Sequence, residues 1–303
     1  MIEIYTRDIF SADSFNFRKE QPHKLWLFPA GEVGIKLSIP AYLNGYTGPF
    51  VIVARINNSN DFFELANIKN ALQEHFFKSG IKNRIDLVLP YIPYAQQDRV
   101  CDKGEAFSAK VFASLLNSLN FDRVVVADPH SGISCALINN VIVVSRFELI
   151  DKHQELRTNL NTGLLVAVDS GANKATADLA KYFNHSEFIR ADKLRNLATG
   201  EILESVIYSD KVPSRVVMVD DLSINGWTFI NLAKTLKNKG AKTIVLYVTH
   251  LVAPSGVKNL YRGGIDEVYC TNSYRTSYPD GLEDNNKFVM VDVIPYLLNK
   301  LIL

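Results

Sequence analysis

The sequence predicts an α/β protein made of two tandem doubly wound domains with parallel sheets. Its 303 residues exceed one ordinary domain and suggest two of roughly 150 residues each. Continuous apolar runs recur at 51–56 (VIVARI), 85–89 (IDLVL), 123–127 (RVVVA), 164–168 (LLVAV), 215–219 (RVVMV) and 243–249 (TIVLYVT). Runs of this kind, without polar alternation, suit strands covered on both faces, as in a parallel sheet. Helical patterns separate them, as at 62–77, 108–119 (SAKVFASLLNSL) and 228–239. Strand then helix, repeated, is the rhythm of a parallel α/β sheet, and it occurs once before about residue 145 and once after. The polar stretch 145–161 carries the boundary, so residues 1–147 are expected to form one domain and 148–303 the other.

Composition narrows the function classes. Hydrophobic residues make up 47% and charged residues 21%, which excludes a disordered chain. A net charge of +1 gives no global field for nucleic acid or an anionic membrane. Residues 1–8 (MIEIYTRD) do not read as a signal peptide, and no stretch approaches the roughly 20 apolar residues that span a bilayer. The expectation is a cytoplasmic protein with neither nucleic-acid nor membrane partners. Cys101, Cys135 and Cys270 form no CxxC pair and read as free thiols.

The strongest local signal is 217–228 (VMVDDLSINGWT): a hydrophobic strand, two acids at its carboxyl end, and a small-residue loop that opens a helix. Ligands of open α/β sheets bind outside the carboxyl ends of strands, and helix N-termini offer backbone N–H groups to anions. A phosphate belongs in this loop. Asp220 and Asp221 can accept hydrogen bonds from two neighbouring sugar hydroxyls or hold Mg²⁺, so the combination reads as a phosphorylated-ribose site. The plainer reading makes the two acids helix caps and Gly226 a turn residue.

The acidic pair and its loop resemble the phosphoribosyl-binding signature shared by phosphoribosyltransferases and ribose-phosphate pyrophosphokinases. The first half of the chain separates the two groups. Residues 90–99 (PYIPYAQQDR), followed by 108–110 (SAK), are similar to the pyrophosphokinase segment PY-x-x-YARQDR with its SAK or TAK, and 28–32 (FPAGE) to that family's F-S-D-G-E. The resemblance runs on through 128–131 (DPHS) for D-L-H-A, 168–171 (VDSG) for S-P-D-x-G-G and 192–195 (DKLR) for D-K-R-R. It closes with 249–250 (TH) and 271–273 (TNS). It covers nearly the whole chain and implies two phosphoribosyltransferase-like domains.

The resemblance also implies roles, residue by residue. Phe28, Glu32, Gln96, Gln97, Asp98 and Arg99 frame ATP; His130 and Asp169 hold Mg²⁺ on its phosphates; Lys193 and Arg195, on a polar flap, carry the catalytic charge. Asp220, Asp221, Ser223, Asn225, Gly226, Trp227 and Thr228 hold the ribose phosphate. Phosphoryl-type transfer depends on positioning and on cations aimed at developing charge, which such a set supplies. In the family the segment containing Phe28 crosses a subunit interface, which implies a homo-oligomer, a dimer or a hexamer built from dimers.

Three departures from the pattern bear on substrate. Ala30 and Gln96 replace two charged residues near ATP. Leu194 replaces the middle basic residue of D-K-R-R, while Lys193 and Arg195 remain. In the loop, Ile224 stands for an Asp, Asn225 for a Thr and Trp227 for a Gly. A phosphate dianion gains nothing from Ile or Trp, whereas a base stacked on an indole gains roughly 1–3 kcal/mol. The acceptor's 5-phosphate is therefore expected to continue into a larger group, ADP-ribose being the simplest. The product is then ADP-ribose 1-pyrophosphate, which a partner transferase could condense with nicotinamide. Ribose 5-phosphate, giving phosphoribosyl pyrophosphate, remains open if Trp227 packs beneath the loop. A non-catalytic regulatory homologue and a phosphoribosyltransferase are the rivals from other classes. The first conflicts with the retention of His130, Asp169, Lys193 and Arg195, and the second leaves Phe28, 94–99 and His130 unexplained.

Overall fold

A computed structural model describes residues 1–7, 17–20, 23–40, 43, 45–80, 82–195, 202–253, 255–279, 281–282 and 285–302; at 79, 193–195, 202–204 and 255 it describes the backbone alone. Contacts divide the chain into two compact units, Met1–Val144 with Ile294–Leu303, and Ser145–Val293.

The first unit contains β1 (Ile2–Arg7), β2 (Phe17–Lys19), β3 (Lys24–Leu27), β4 (Val33–Lys36), β5 (Phe50–Ala54), α1 (Ser59–Ser79), β6 (Ile85–Leu89), α2 (Ser108–Ser118), β7 (Val124–Ala127), α3 (Gly132–Leu137) and β8 (Val141–Val144). Its main sheet runs β2-β1-β5-β6-β7-β8. Strands β5 to β8 are parallel, as their unbroken apolar runs predict, and every residue of β5, β6 and β7 is buried. The edge differs: β1 pairs antiparallel with both β2 and β5. Its alternating sequence IEIYTR buries every second side chain, the signature of a strand with one wetter face. Helix α1 begins in a capping box, Asn58 with Asp61, and ends at Gly80 in the left-handed region. Ile52, Leu65, Ile68, Leu72, Leu87 and Leu116 meet in the core. Strands β3 and β4 form a separate antiparallel hairpin against α1.

The second unit contains α4 (Arg146–Asp151), α5 (Gln154–Thr162), β9 (Leu164–Val166), α6 (Asn173–Tyr182), β10 (Ala191–Arg195), β11 (Ile202–Ile207), β12 (Arg215–Ser223), α7 (Trp227–Asn238), β13 (Thr243–Leu251), α8 (Ser255–Arg262), β14 (Glu267–Thr271) and β15 (Phe288–Val291). The sheet runs β15-β14-β13-β12-β9 and is parallel throughout. Ile189 bridges in parallel to Val166, on the side of β9 away from β12. The chain therefore moves outward from β9 and then crosses back to β12, which makes the carboxyl end of β9 a switch point where ligands of such sheets bind. One face of the sheet packs Met218, Leu232, Leu236 and Leu246, and the other Ile150, Leu165, Val217, Val219 and Tyr247. Strands β10 and β11 pair as an antiparallel hairpin outside the sheet. Helix α9 (Ile294–Asn299) returns to the first unit and packs against β7.

Candidate active site

In the second unit the chemistry-bearing residues collect at the carboxyl ends of parallel strands. Strand β12 ends in Asp220, Asp221 and Ser223, and the turn through Ile224 and Asn225 delivers Gly226 as the N-cap of α7 at φ 75°. Only glycine adopts this backbone without cost. A Cβ there also meets Leu260 Cδ2 of α8 at 2.7 Å. The neighbouring approach is close too, since a Cβ on Gly256 stands 3.4 Å from the Ile224 carbonyl oxygen. Helix α8 thus backs the loop. On its other side the loop faces water: Ile224 is 45% and Trp227 56% exposed. The Trp227 N–H donates to Asn225 Oδ1 at 3.3 Å. Ser223 is buried, and its carbonyl accepts from Val252 N–H at 2.9 Å, tying the loop to the strand beside it.

The acid pair is held under electrostatic tension. Burial and the charge of Asp221 push the Asp220 carboxyl well above the usual carboxylate range, and Arg146 opposes the shift. Arg146 opens α4, with Nη1 4.0 Å from Asp220 Oδ1 and Nη2 4.0 Å from Asp221 Oδ1. Asp220 Oδ1 also accepts from the Asp221 N–H at 2.9 Å. A cation in the first turn of a helix opposes the macrodipole by about 0.5 kcal/mol, so the acids supply what makes this position tenable.

The adjacent strand ends complete this part of the site. Asp169 follows β9 at the switch point, and its Oδ1 accepts from Ala172 N–H at 3.0 Å. His250, at the end of β13, places Nδ1 2.8 Å from Ser273 Oγ; Ser273 and Thr271 both donate to the Thr249 carbonyl. All four are buried and fix the rim beside Leu222. Lys193 and Arg195 lie on β10, and their side chains are outside the described residues. Tyr208, just beyond β11, has its hydroxyl pKa raised by its hydrogen bond to Asp192 on the same hairpin.

In the first unit two loops leave the carboxyl ends of β6 and β7. Gln96, Gln97, Asp98 and Arg99 follow β6 in a loop that also carries Tyr94, a non-glycine residue at φ 61°. Gln97 N–H donates to the Tyr94 carbonyl, and the Gln97 carbonyl accepts from Ala109 N–H of α2. His130 is exposed after β7, next to Asp128 at φ 37°. Positive φ at both loops is strain of the kind that gathers at functional sites. Phe28 and Glu32 sit apart from these loops on the turn of the β3–β4 hairpin, where Phe28 N–H donates to the Glu32 carbonyl and Gly31 N–H to the Phe28 carbonyl. Phe28 is exposed there. Among the described residues no group of three or more His, Cys, Asp or Glu side chains comes together as a metal cage.

The structure adds one residue that the sequence pattern leaves unmarked. Arg146 belongs to no motif and lies far upstream of the acids it faces. Its sequence signal is its place directly after Ser145, whose capping box with Glu148 starts α4, a position where acidic residues are the rule.

Two largely parallel α/β units, the second with an acidic pair at a strand's carboxyl end beside a helix N-terminus, define the class of fold. The comparisons carry the assignment further. No protein-family profile matches the chain. It is 30% identical to the ribose-phosphate pyrophosphokinase of Hyphomonas neptunium over 236 residues, 75% of this chain and 72% of that one. It is also 30% identical to the Haemophilus influenzae enzyme of the same name over 233 residues, 74% of this chain and 70% of that one. At 25% identity the likeness to the Sulfurisphaera tokodaii ribose-phosphate pyrophosphokinase covers 92% of this chain and 90% of that one. The fold is that of the phosphoribosylpyrophosphate synthetase of Mycobacterium smegmatis, with a TM-score of 0.74 at 20% identity over 92% of this chain and 88% of that one. The chain belongs to the ribose-phosphate pyrophosphokinase family and is a diphosphotransferase.

Proposed function

We propose that this pyrophosphokinase transfers the β,γ-diphosphoryl group of Mg-ATP to the anomeric hydroxyl of a ribose whose 5-phosphate continues into a larger group, with ADP-ribose the simplest acceptor. The sugar O1 attacks the β-phosphorus as the bond to the α–β bridging oxygen breaks. AMP leaves with that oxygen, and the hydroxyl proton is released. The observation that carries the acceptor is the exposure of Ile224 and Trp227 on the loop beside Asp220 and Asp221. An indole packed beneath the loop would be buried; one standing in water at the mouth of the site is available to stack on a base.

The remaining roles follow the chemistry of each group. Asp220 and Asp221 accept from neighbouring sugar hydroxyls, while Ser223, Asn225, Thr228 and the N–H groups at Gly226 and Trp227 face the acceptor's phosphate. The half-buried Asp169 carboxylate of the second unit is a hard oxygen donor that Mg²⁺ would take, and the family pattern assigns the same task to His130 of the first unit. Bound there, Mg²⁺ neutralises phosphate charge. Lys193 and Arg195 meet the charge that develops during transfer. Phe28, Glu32, Gln96, Gln97, Asp98 and Arg99 hold ATP. The enzyme acts as a cytoplasmic homo-oligomer, a dimer or a hexamer built from dimers.

Steady-state kinetics with Mg-ATP and either sugar tests the acceptor. A higher kcat/KM for ADP-ribose is expected, and a large preference for ribose 5-phosphate overturns it. Trp227→Ala should lower kcat/KM for ADP-ribose about ten-fold, the worth of one stacked base, and leave ribose 5-phosphate nearly unaffected. Release of AMP by Lys193→Ala at the wild-type rate would point instead to a protein that binds without catalysing.

A further inference from the structure

We infer that Arg146 is a positioning residue for the acceptor sugar, its guanidinium spanning Asp220 and Asp221 so that the two carboxylates are presented together to neighbouring hydroxyls. The inference rests on the proposed reading of the acid pair as the sugar site. Two features of the geometry carry it. The guanidinium addresses both acids at once, Nη1 toward Asp220 and Nη2 toward Asp221, each at 4.0 Å from an Oδ1. That matches the planar fork of arginine and is beyond the reach of a single ammonium point charge. At 4.0 Å the contact is also longer than a direct hydrogen bond, so it compensates the two like charges as an ionic contact rather than as a close hydrogen bond to either Oδ1.

The mounting of Arg146 is rigid. Ser145 and Glu148 close a capping box at the start of α4, and Leu149 and Ile150 are buried behind it. Ile150 packs in the same cluster as Val217 and Val219 of β12, the strand that ends in the acids. The helix that carries the guanidinium and the strand that carries the carboxylates are thus fixed to each other through one core. Without Arg146, the repulsion between Asp220 and Asp221 would go unopposed, and one carboxylate would turn away from its place beside the other. A sugar that needs both carboxylates would lose its seat, while ATP would not.

Kinetics on Arg146→Gln and Arg146→Lys with Mg-ATP and each sugar acceptor test this, with thermal unfolding of each variant alongside. For Arg146→Gln the KM of the acceptor should rise about ten-fold or more while the KM of ATP and the melting temperature hold, and Arg146→Lys should recover part of the loss. An acceptor KM within about two-fold of wild type in Arg146→Gln overturns the inference. So does a parallel loss of both substrates with a lowered melting temperature, which is the mark of a structural role. Asp221→Asn separates the two levels. If it leaves the acceptor KM unchanged, the acid pair is not the sugar site and both readings fall. If it raises the acceptor KM and Arg146→Gln does not, only the role of Arg146 falls.

Discussion

Asp220 carries a cost that its neighbours cannot remove. Its folded pKa is raised, so the folded protein holds a proton there that the unfolded chain has already released. Stability from this group is present below the unfolded carboxylate pKa and is lost as pH rises through the folded one. Near neutral pH the ionised side chain therefore strains the fold, and Asp220→Asn should raise the melting temperature there while abolishing use of the acceptor. The same shift places an acid limb in kcat/KM for the acceptor above the ordinary carboxylate range, since the protonated form loses the negative charge that strengthens hydrogen bonds from the sugar hydroxyls. Parallel melting curves and pH profiles of wild type and variant check both. His185 acts in the opposite sense to an ordinary stabilising histidine. Burial lowers its pKa, and Nε2 is enclosed with no hydrogen-bond partner. As pH falls through about 6.5 the unfolded chain takes up a proton that the folded one refuses, so stability drops. The fall in melting temperature from about pH 7.5 to about pH 5.5 should be smaller in His185→Gln.

At the scale of the element, the turn from β12 into α7 is the piece on which the proposed acceptor site depends. Gly226 combines positive φ with a 2.7 Å approach to Leu260. Gly226→Ala should cost about 1–2 kcal/mol from the left-handed backbone alone, read as a lower denaturation midpoint, with acceptor KM rising alongside. The strand, the acid pair and the helix start were all legible at 217–228, because a buried parallel strand and a glycine turn leave strong local patterns. The antiparallel edge formed by β1 was not, since IEIYTR matches either strand direction until it meets a partner. Arg146 escaped for a similar reason: an arginine after a capping serine is unremarkable until the fold brings the acids beside it.

For the whole molecule, the path of the last helix matters most. Helix α9 belongs with the first unit although it follows the last strand of the second. Leu297 and Leu301 are fully buried, and Arg123 Nη2, which also pairs with buried Asp86, donates to the Leu301 carbonyl at 2.6 Å. Leu297→Ala should cost about 2–5 kcal/mol. The loss should appear as weakened hydrogen-exchange protection in β5 to β8, with β12 to β14 unchanged. Uniform weakening of both sheets would contradict the division into two units.

What the sequence determined by itself was the α/β class, the duplicated rhythm, the acid pair and the small-residue turn into a helix that follows it, all encoded by residues close together in the chain. Tertiary structure decided the rest. It set the guanidinium of Arg146 over both acids, left Trp227 in water rather than beneath its loop, and sent α9 back to the first sheet. Each of these depends on residues far apart in sequence, where no period or spacing records which surfaces will meet.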